Sequence, residues 1–377
     1  MNIGLLTYYG DFNCGTNMQA LATLEAIRSV YPNDNVEIIP FHGFKSRKLP
    51  YKTYSIINLY YDYKRFKKYS YFKHHYLNVK NDKTITNVEN ALNYISARNY
   101  DIIYIGADTL LELDRLPKNY DGISAYWLKG IKAKKFLIAA SSKNVSYEQL
   151  SNKQKQDLKI AANEFKAIGI RDRATLKLFN ALVNNKDIHY IPDPTFTYEI
   201  DYTYIDRYLK KRNIIIPKKS VFVQFYSDDT WLENVAVDLK KRGFTLITNR
   251  GVSWSDITLI DLSPLEQVGI YRYVTFAITH RFHDGVFCLK NHTPFLIYIK
   301  SGKEMMTEGE SKHISLLKDF NIYPQAFLGY LDSKEGLKDV WESYEKLNKI
   351  FNYDTINKQL RKNQLIYNEY LNMTKDM

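Results

Sequence analysis

The sequence predicts an α/β protein of two domains, each an open parallel sheet with helices, facing each other across a cleft. Three observations carry this. Apolar runs of strand length alternate with stretches of helical periodicity. The alternation pauses near residues 200–215, where the composition turns polar (EIDYTYIDRYLKKRN), and then resumes. The 377 residues exceed the size at which one core keeps growing, and 45% apolar residues supply a sizeable core. The expected domains are 1–205 and 206–332, followed by a charged helical tail over 333–377.

Residues 2–7 (NIGLLT) read as a buried strand. YYGDFNCGTN follows, rich in Gly and Asn, and from Asn17 to Val30 the apolar residues recur at helical spacing. Val36 to Phe41 reads as the next strand, so the chain opens with a βαβ unit. Residues 45–80 are basic and aromatic with poor periodicity, which predicts helical pieces and mobile surface loop. Strands are expected at Asp101–Gly106, Lys135–Ala140, Ala167–Ile170 and Ile188–Ile191. A polar helix is expected over 147–165 and another from Ala174. In the second half, strands are expected at Ser220–Phe225, Thr245–Thr248, 274–278 and 295–299. Helices are expected at 230–242, at Ser263–Tyr271 with Ser263 as N-cap and Pro264 in its first turn, and at 285–291. In open parallel sheets ligands sit beyond the carboxyl ends of the strands, which makes the strand-end residues the candidates.

The formal net charge of +12, from 53 basic and 41 acidic side chains, suits anionic partners: phosphorylated donors, acidic glycans, nucleic acid or anionic lipid. Nothing resembles a known nucleic-acid fold, so no nucleic-acid partner is expected. The 32 tyrosines read mostly as coding bias, with sugar stacking a lesser contribution. Two cysteines allow neither a disulfide framework nor a cysteine zinc cluster and fit a reducing cytoplasm. The N-terminal apolar run is too short for a signal peptide, and no stretch is long and apolar enough to span a bilayer. The expectation is a cytoplasmic protein whose charge allows a peripheral contact with an anionic membrane. His74 and His75 are adjacent and do not face one site, and no HExxH motif is present, so no metal and no cofactor are expected.

The densest charge lies in ITHRFHDGVF (278–287), at a strand-to-helix junction. Arg281 forks to an anion, His283 moves a proton near neutral pH, and the helix N-terminus adds positive field. A structural Arg beside a satisfied core His explains the same residues as well. His280 and Asp284 flank the pair; Asp284 reads as a helix cap. The loop from Gly10 to Gly15, at a helix N-terminus, offers backbone N–H groups to an anion or hydroxyl, and serves equally as a plain tight turn. Arg171-Asp172-Arg173 reads as a surface or interdomain ion pair, and Asp193 as the cap of the segment after it. Cys14 and Cys288 read as small buried hydrophobes rather than nucleophiles.

These residues together resemble the bacterial polysaccharide pyruvyl transferases. Asn13-Cys-Gly15 and Asn17-Met-Gln19-Ala20-Leu21 look like the family's Asn-x-Gly loop and following helix. Tyr100-Asp101-Ile-Ile-Tyr-Ile-Gly106-Ala-Asp108 is similar to its Tyr-Asp-apolar-Gly-Ser-Asp-Gln segment. Ile170-Arg171-Asp172, Asp193-Pro194-Thr195 and His280-Arg281-Phe282-His283-Asp284-Gly285 match its later elements in order. Ala107, Thr109, His280 and Asp284 depart from the family pattern, and Lys312 stands where an Arg is often found.

The resemblance implies two Rossmann-like domains of the glycosyltransferase B type. It also implies transfer of a pyruvyl group from phosphoenolpyruvate to a sugar of a cell-surface polysaccharide or its lipid-linked precursor, closing a ketal. On that reading His283 and Arg281 are catalytic. Arg281, Arg171, Lys312 and His280 hold the donor, and Asn13, Gly15, Asn17 and Asp108 the acceptor. The alternatives are a nucleotide-sugar glycosyltransferase of the same fold and a glycan-binding relative without catalysis.

Overall fold

A computed structural model describes residues 1–41, 56–79, 85–113, 116, 120–143, 145–184, 186–225, 231–301 and 311–377. The chain divides into two compact units. The first comprises 1–48, 70–198 and 362–377, and the second 49–69 and 199–361.

In the first unit β1 (Asn2–Leu6) leads through the glycine loop into α1 (Cys14–Val30) and β2 (Asn35–Ile38). α2 (Ile56–His75) follows, divided between the two units, and then α3 (Val88–Ala97), β3 (Ile102–Ile105) and β4 (Lys134–Ala140). α4 (Asn152–Glu164), β5 (Phe165–Ile170), α5 (Arg173–Leu182) and β6 (Ile188–Tyr190) complete the alternation. The six strands pair in parallel in the order β2-β1-β3-β4-β5-β6. β3 (IIYI) is buried along its whole length, as a strand covered on both faces must be.

The second unit holds α6 (Thr203–Lys211), β7 (Ser220–Val223), α7 (Trp231–Lys241), β8 (Thr245–Thr248) and β9 (Ile257–Thr258). It continues with α8 (Pro264–Gly269), β10 (Phe276–Thr279), α9 (Phe282–Lys290) and β11 (Phe295–Ile299). α10 (Lys312–Asp319), β12 (Phe327–Tyr330), α11 (Val340–Ile350) and α12 (Tyr353–Lys375) end the chain, α12 passing into the first unit at residue 362. These six strands are also all parallel, in the order β12-β11-β10-β7-β8-β9.

Several elements differ from the sequence expectation. Within the polar stretch near 200–215, α6 buries Ile205, Tyr208 and Leu209, and the chain divides at 198/199, a few residues before the expected boundary at 205/206. The segment 333–377 is helical but does not stand apart. Tyr367, Tyr370 and Leu371 are buried, with the Tyr370 hydroxyl donating to the Leu137 carbonyl at 2.6 Å, so the last turns of α12 belong to the first unit. Residues 56–75 form one helix despite weak periodicity, because only Tyr69 and Phe72 among its described side chains are buried. The rest of the expectation for 45–80 lies largely outside the described residues. α3, β9, α10 and β12 were not expected; β9, α10 and β12 are short, whereas α3 carries Val88, Ala91, Leu92 and Ile95 at helical spacing, a signal that was legible.

The 263–271 helix starts as expected: Ser263 caps it in a capping box with Glu266, with Pro264 at the first position. α9 begins at Phe282, three residues before the expected start, which moves Arg281 to the N-cap and Asp284 into the first turn. Asp284 is therefore not the cap.

Candidate functional site

Each sheet has one place where strand order reverses, and chemistry-bearing residues gather there. In the first sheet the reversal lies between β1 and β3, and the loops after these strands carry Asn13 and Asp108. In the second it lies between β7 and β10, and β10 runs directly into His280 and Arg281. The crevice beyond such a reversal is the usual ligand position of an open α/β sheet.

In the first unit Asn13 caps α1, its side chain accepting from the Gly15 N–H at 3.1 Å. Asn17 is fully buried, and its amide closes the preceding loop. Oδ1 accepts from the Gly10 N–H at 3.0 Å, while Nδ2 donates to the carbonyls of Asp11 at 2.6 Å and Asn13 at 2.9 Å. Asn17 thus shapes the loop with its amide. Gly15 is buried inside the first turn, and Asn13 is half-buried.

Arg171, at the end of β5, donates to Asp108 and to Asp193, each at 2.9 Å. Burial disfavours its charge, but Asp108 and Asp193 outweigh this and hold its pKa up. Asp193 also accepts from Gln19 at 2.6 Å and from the Thr195 hydroxyl at 2.7 Å, and it caps the turn after it as expected. Both ion-pair partners of Arg171 lie in its own unit, so the pair is neither superficial nor interdomain. Two of its five N–H donors are thus spent on carboxylates of its own unit, which ties Arg171 into the fold. Asp172 caps α5.

In the second unit two helix N-termini meet at the end of β10. α9 begins with Phe282-His283 and α10 with Lys312-His313, capped by Ser311. The Phe282 ring is the hub. It meets His283 edge-on at 5.2 Å and His313 at 6.3 Å, and the Lys312 ammonium lies 5.4 Å from its centroid. His280, His283 and His313 are buried, while Arg281 and Lys312 are half-buried.

The electrostatics match this crowding of positive groups. Burial, with Arg281, Arg250 and His313 adding to it, pushes the His280 imidazole down to about 2. Burial, with Lys312 and His283, pushes His313 down to about 3. Both imidazoles are therefore neutral at physiological pH and offer one N–H donor each. Asp284 is fully buried, and burial raises its pKa against the pull of Arg281, Tyr271, Thr279 and His283. Thr279 links it to the site: its hydroxyl accepts from the Arg281 N–H at 3.0 Å and donates to Asp284 at 3.1 Å.

The sequence reading singles out His280, Arg281, His283 and Lys312; the structure brings His313, Thr279 and Arg250 to the same junction. Ser311 as an N-cap was the available signal, since it places His313 at the second helical position, the one His283 holds in α9. Cys14 and Cys288 are both buried and joined by no disulfide, and burial raises the Cys288 thiol well above its ordinary value. Among the described residues no group of three His, Cys, Asp or Glu side chains could hold a metal ion. No helix among them is long and apolar enough to cross a membrane.

The arrangement suits a small anion. Cationic side chains and two helix N-termini converge on a partly desolvated place where water competes weakly for the charge.

Comparison with known proteins agrees with this layout. The sequence profile of the polysaccharide pyruvyl transferases matches residues 13–299. No curated protein matches the chain. Among solved structures, a putative UDP-N-acetylglucosamine 2-epimerase from Listeria monocytogenes is similar at a TM-score of 0.52 and 8% identity, over 98% of this chain and 94% of that one. The UDP-GlcNAc 2-epimerase of Methanocaldococcus jannaschii is similar at 0.50 and 9% identity, over 96% of this chain and 99% of that one. At such identities the likeness speaks for the fold alone, two Rossmann-like domains of the glycosyltransferase B type. The profile match runs from the cap of α1 to the end of β11, well over half of the chain, and the chain belongs to the polysaccharide pyruvyl transferase family.

Proposed function

We propose that this chain transfers the pyruvyl group of phosphoenolpyruvate to two hydroxyls of a glycan sugar, releasing phosphate and closing a cyclic ketal. The observation that carries the reading is the gathering of His283, Lys312 and His313 around Phe282, with Arg281 next to it at the N-cap of α9, at the strand-order reversal of the second sheet.

The donor carries a carboxylate and a phosphate, and Arg281 takes one of them through its fork. Lys312 supports the other as a point charge, without the planar geometry of an arginine. His280 and His313, held neutral, donate hydrogen bonds without adding charge. His283 delivers a proton to the methylene carbon, leaving an oxocarbenium-like centre at C2. A sugar oxygen bonds to C2 and loses its proton; the C2–O bond to phosphate breaks and phosphate departs with the electron pair. The second hydroxyl then adds to C2 and loses its proton, closing the ring. One of the two hydroxyl protons balances that given to the methylene, and the other leaves with phosphate. General acid–base help of this kind contributes roughly two to four powers of ten in rate.

Asn13 and Asp108, half-buried at the strand ends of the first unit, are the proposed acceptor contacts. Arg171 serves here by fixing Asp108. Two cysteines without a disulfide suit a reducing compartment, and we take the cytoplasm as the site of the reaction.

The test is release of inorganic phosphate from phosphoenolpyruvate in the presence of a panel of glycan acceptors, with mass spectrometry of the product. The expected product gains a pyruvyl ketal, and His283→Ala abolishes its formation. Turnover of nucleotide sugars with phosphoenolpyruvate ignored would replace this reading with glycosyl transfer. Glycan binding without any turnover would leave a non-catalytic relative.

A further inference from the structure

We propose that the outer face of α2 is a docking surface for an anionic phospholipid bilayer. Tyr60, Tyr63, Lys64, Lys67, Tyr71 and His75 recur at three- and four-residue steps and so form one stripe along the helix. Tyr60, Tyr63 and Tyr71 are 54%, 47% and 54% exposed, in a protein whose other large side chains mostly lie inside. Away from the stripe the helix is spent on the fold, where Tyr69 and Phe72 are buried, and at the flank of the stripe Lys68 pairs with Glu266 at 2.7 Å.

Its chemistry is that of a membrane interface. Lys64 lies over the Tyr60 ring at 4.3 Å and Lys67 over Tyr63 at 4.7 Å, while Tyr71 stacks on His75 at 3.7 Å. Each tyrosine presents an apolar ring with a polar tip, which suits the headgroup level of a bilayer, and each lysine reaches past a ring toward lipid phosphate. Residues 60–75 carry five Lys and Arg against one Asp, in a chain of net charge +12, so the charge complements anionic lipid.

Other occupants fit less well. A second copy of the same face would set Lys64 and Lys67 against like charges. Single-stranded nucleic acid is held in a groove, and one helix face is convex. The inference goes beyond the proposed reaction and does not depend on it.

The experiment is co-sedimentation of the full chain with phosphatidylcholine vesicles, with and without phosphatidylserine. Binding is expected only with the anionic lipid and is released by raised salt. Lys64→Glu with Lys67→Glu is expected to weaken it about ten-fold or more, from the loss and reversal of two interfacial charges. Tyr63→Ser with Tyr71→Ser is expected to weaken it with the charge intact. Thermal melts like those of the parent chain would show that both variants fold, and phosphate release with a water-soluble acceptor should be unchanged.

Equal binding to neutral vesicles, none to anionic ones, or full binding by the charge-reversed chain would overturn the proposal. So would a lipid-free dimer that these substitutions dissolve, or an oligonucleotide that displaces the vesicles. Vesicle binding by a chain that releases no phosphate would overturn the proposed reaction and leave this surface standing.

Discussion

Thr279 donates to Asp284 across a buried turn at 3.1 Å while its oxygen accepts the backbone N–H of Arg281 at 3.0 Å. One hydroxyl thus ties a buried carboxylate to the residue proposed to grip the donor. Thr279→Val would strand both partners at a cost of about 1–3 kcal/mol. Arg281 would lose its fixed entry into α9, so KM for phosphoenolpyruvate should rise more than kcat falls. Thr279→Ser, which keeps the hydroxyl, should restore KM. Steady-state kinetics on the two variants decides this, and an unaltered KM in the valine chain would show that the relay does not position Arg281.

Asp284 also makes a statement about pH. Its folded pKa lies above the ordinary 3.8, so the folded state binds this proton more tightly than the unfolded chain does. That favours folding at low pH and is lost as pH rises from about 3.8 through the raised value. Asp284→Asn removes the titration. Its stability relative to the parent chain should therefore improve as pH climbs through this window, as followed by urea denaturation at each pH.

His280 and His313 carry the opposite sign. Their folded pKa values, about 2 and about 3, lie below the unfolded value of 6.5. The stability they lend is present above about pH 6.5 and is lost as pH falls toward those values. Neither imidazole should titrate between about pH 5 and 8 in a nitrogen-15 NMR series. His313→Gln should flatten the acid side of the stability profile. A His313 resonance that titrates near neutrality would show that its ring is not desolvated.

Arg171 is held by two carboxylates, so its removal leaves Asp108 and Asp193 facing each other without a cation. Arg171→Ala should cost roughly 3–5 kcal/mol in stability. Arg171→Lys should recover only part, because an ammonium cannot reproduce the fork. Equilibrium denaturation measures this directly. Full stability combined with a large loss of donor affinity would return Arg171 to the donor site.

Gly285 lies where α9 approaches β11 and α10 closely. A Cβ there would come within 2.9 Å of the Phe295 ring and 3.1 Å of Leu316. Gly285→Ala should push α9 outward, cost about 1–3 kcal/mol and shift His283 and Arg281 with the helix. Loss of activity should then accompany a lowered melting temperature. A fully active, fully stable alanine chain would show that the helix has room to give.

The sequence by itself determined the alternation of elements, because strands buried on both faces must read as continuous apolar runs. β8 and β11 fall at the residues their apolar runs mark, and Ser263 announces α8 by its side-chain chemistry. It also marked Arg281 and His283, since charge between two apolar runs is conspicuous along the chain. Only the tertiary structure decided the partners. Arg171 looked as available as Arg281 until Asp108 and Asp193, which lie 63 and 22 residues from it in sequence, were brought against its guanidinium. Asn17 looked like a ligand contact until its amide was seen closing its own loop, and His313 joined the site only through the meeting of α9 and α10. Periodicity is a local property that burial writes into adjacent residues, whereas the pairing of charges is settled by distance in space, on which neighbours along the chain carry no information.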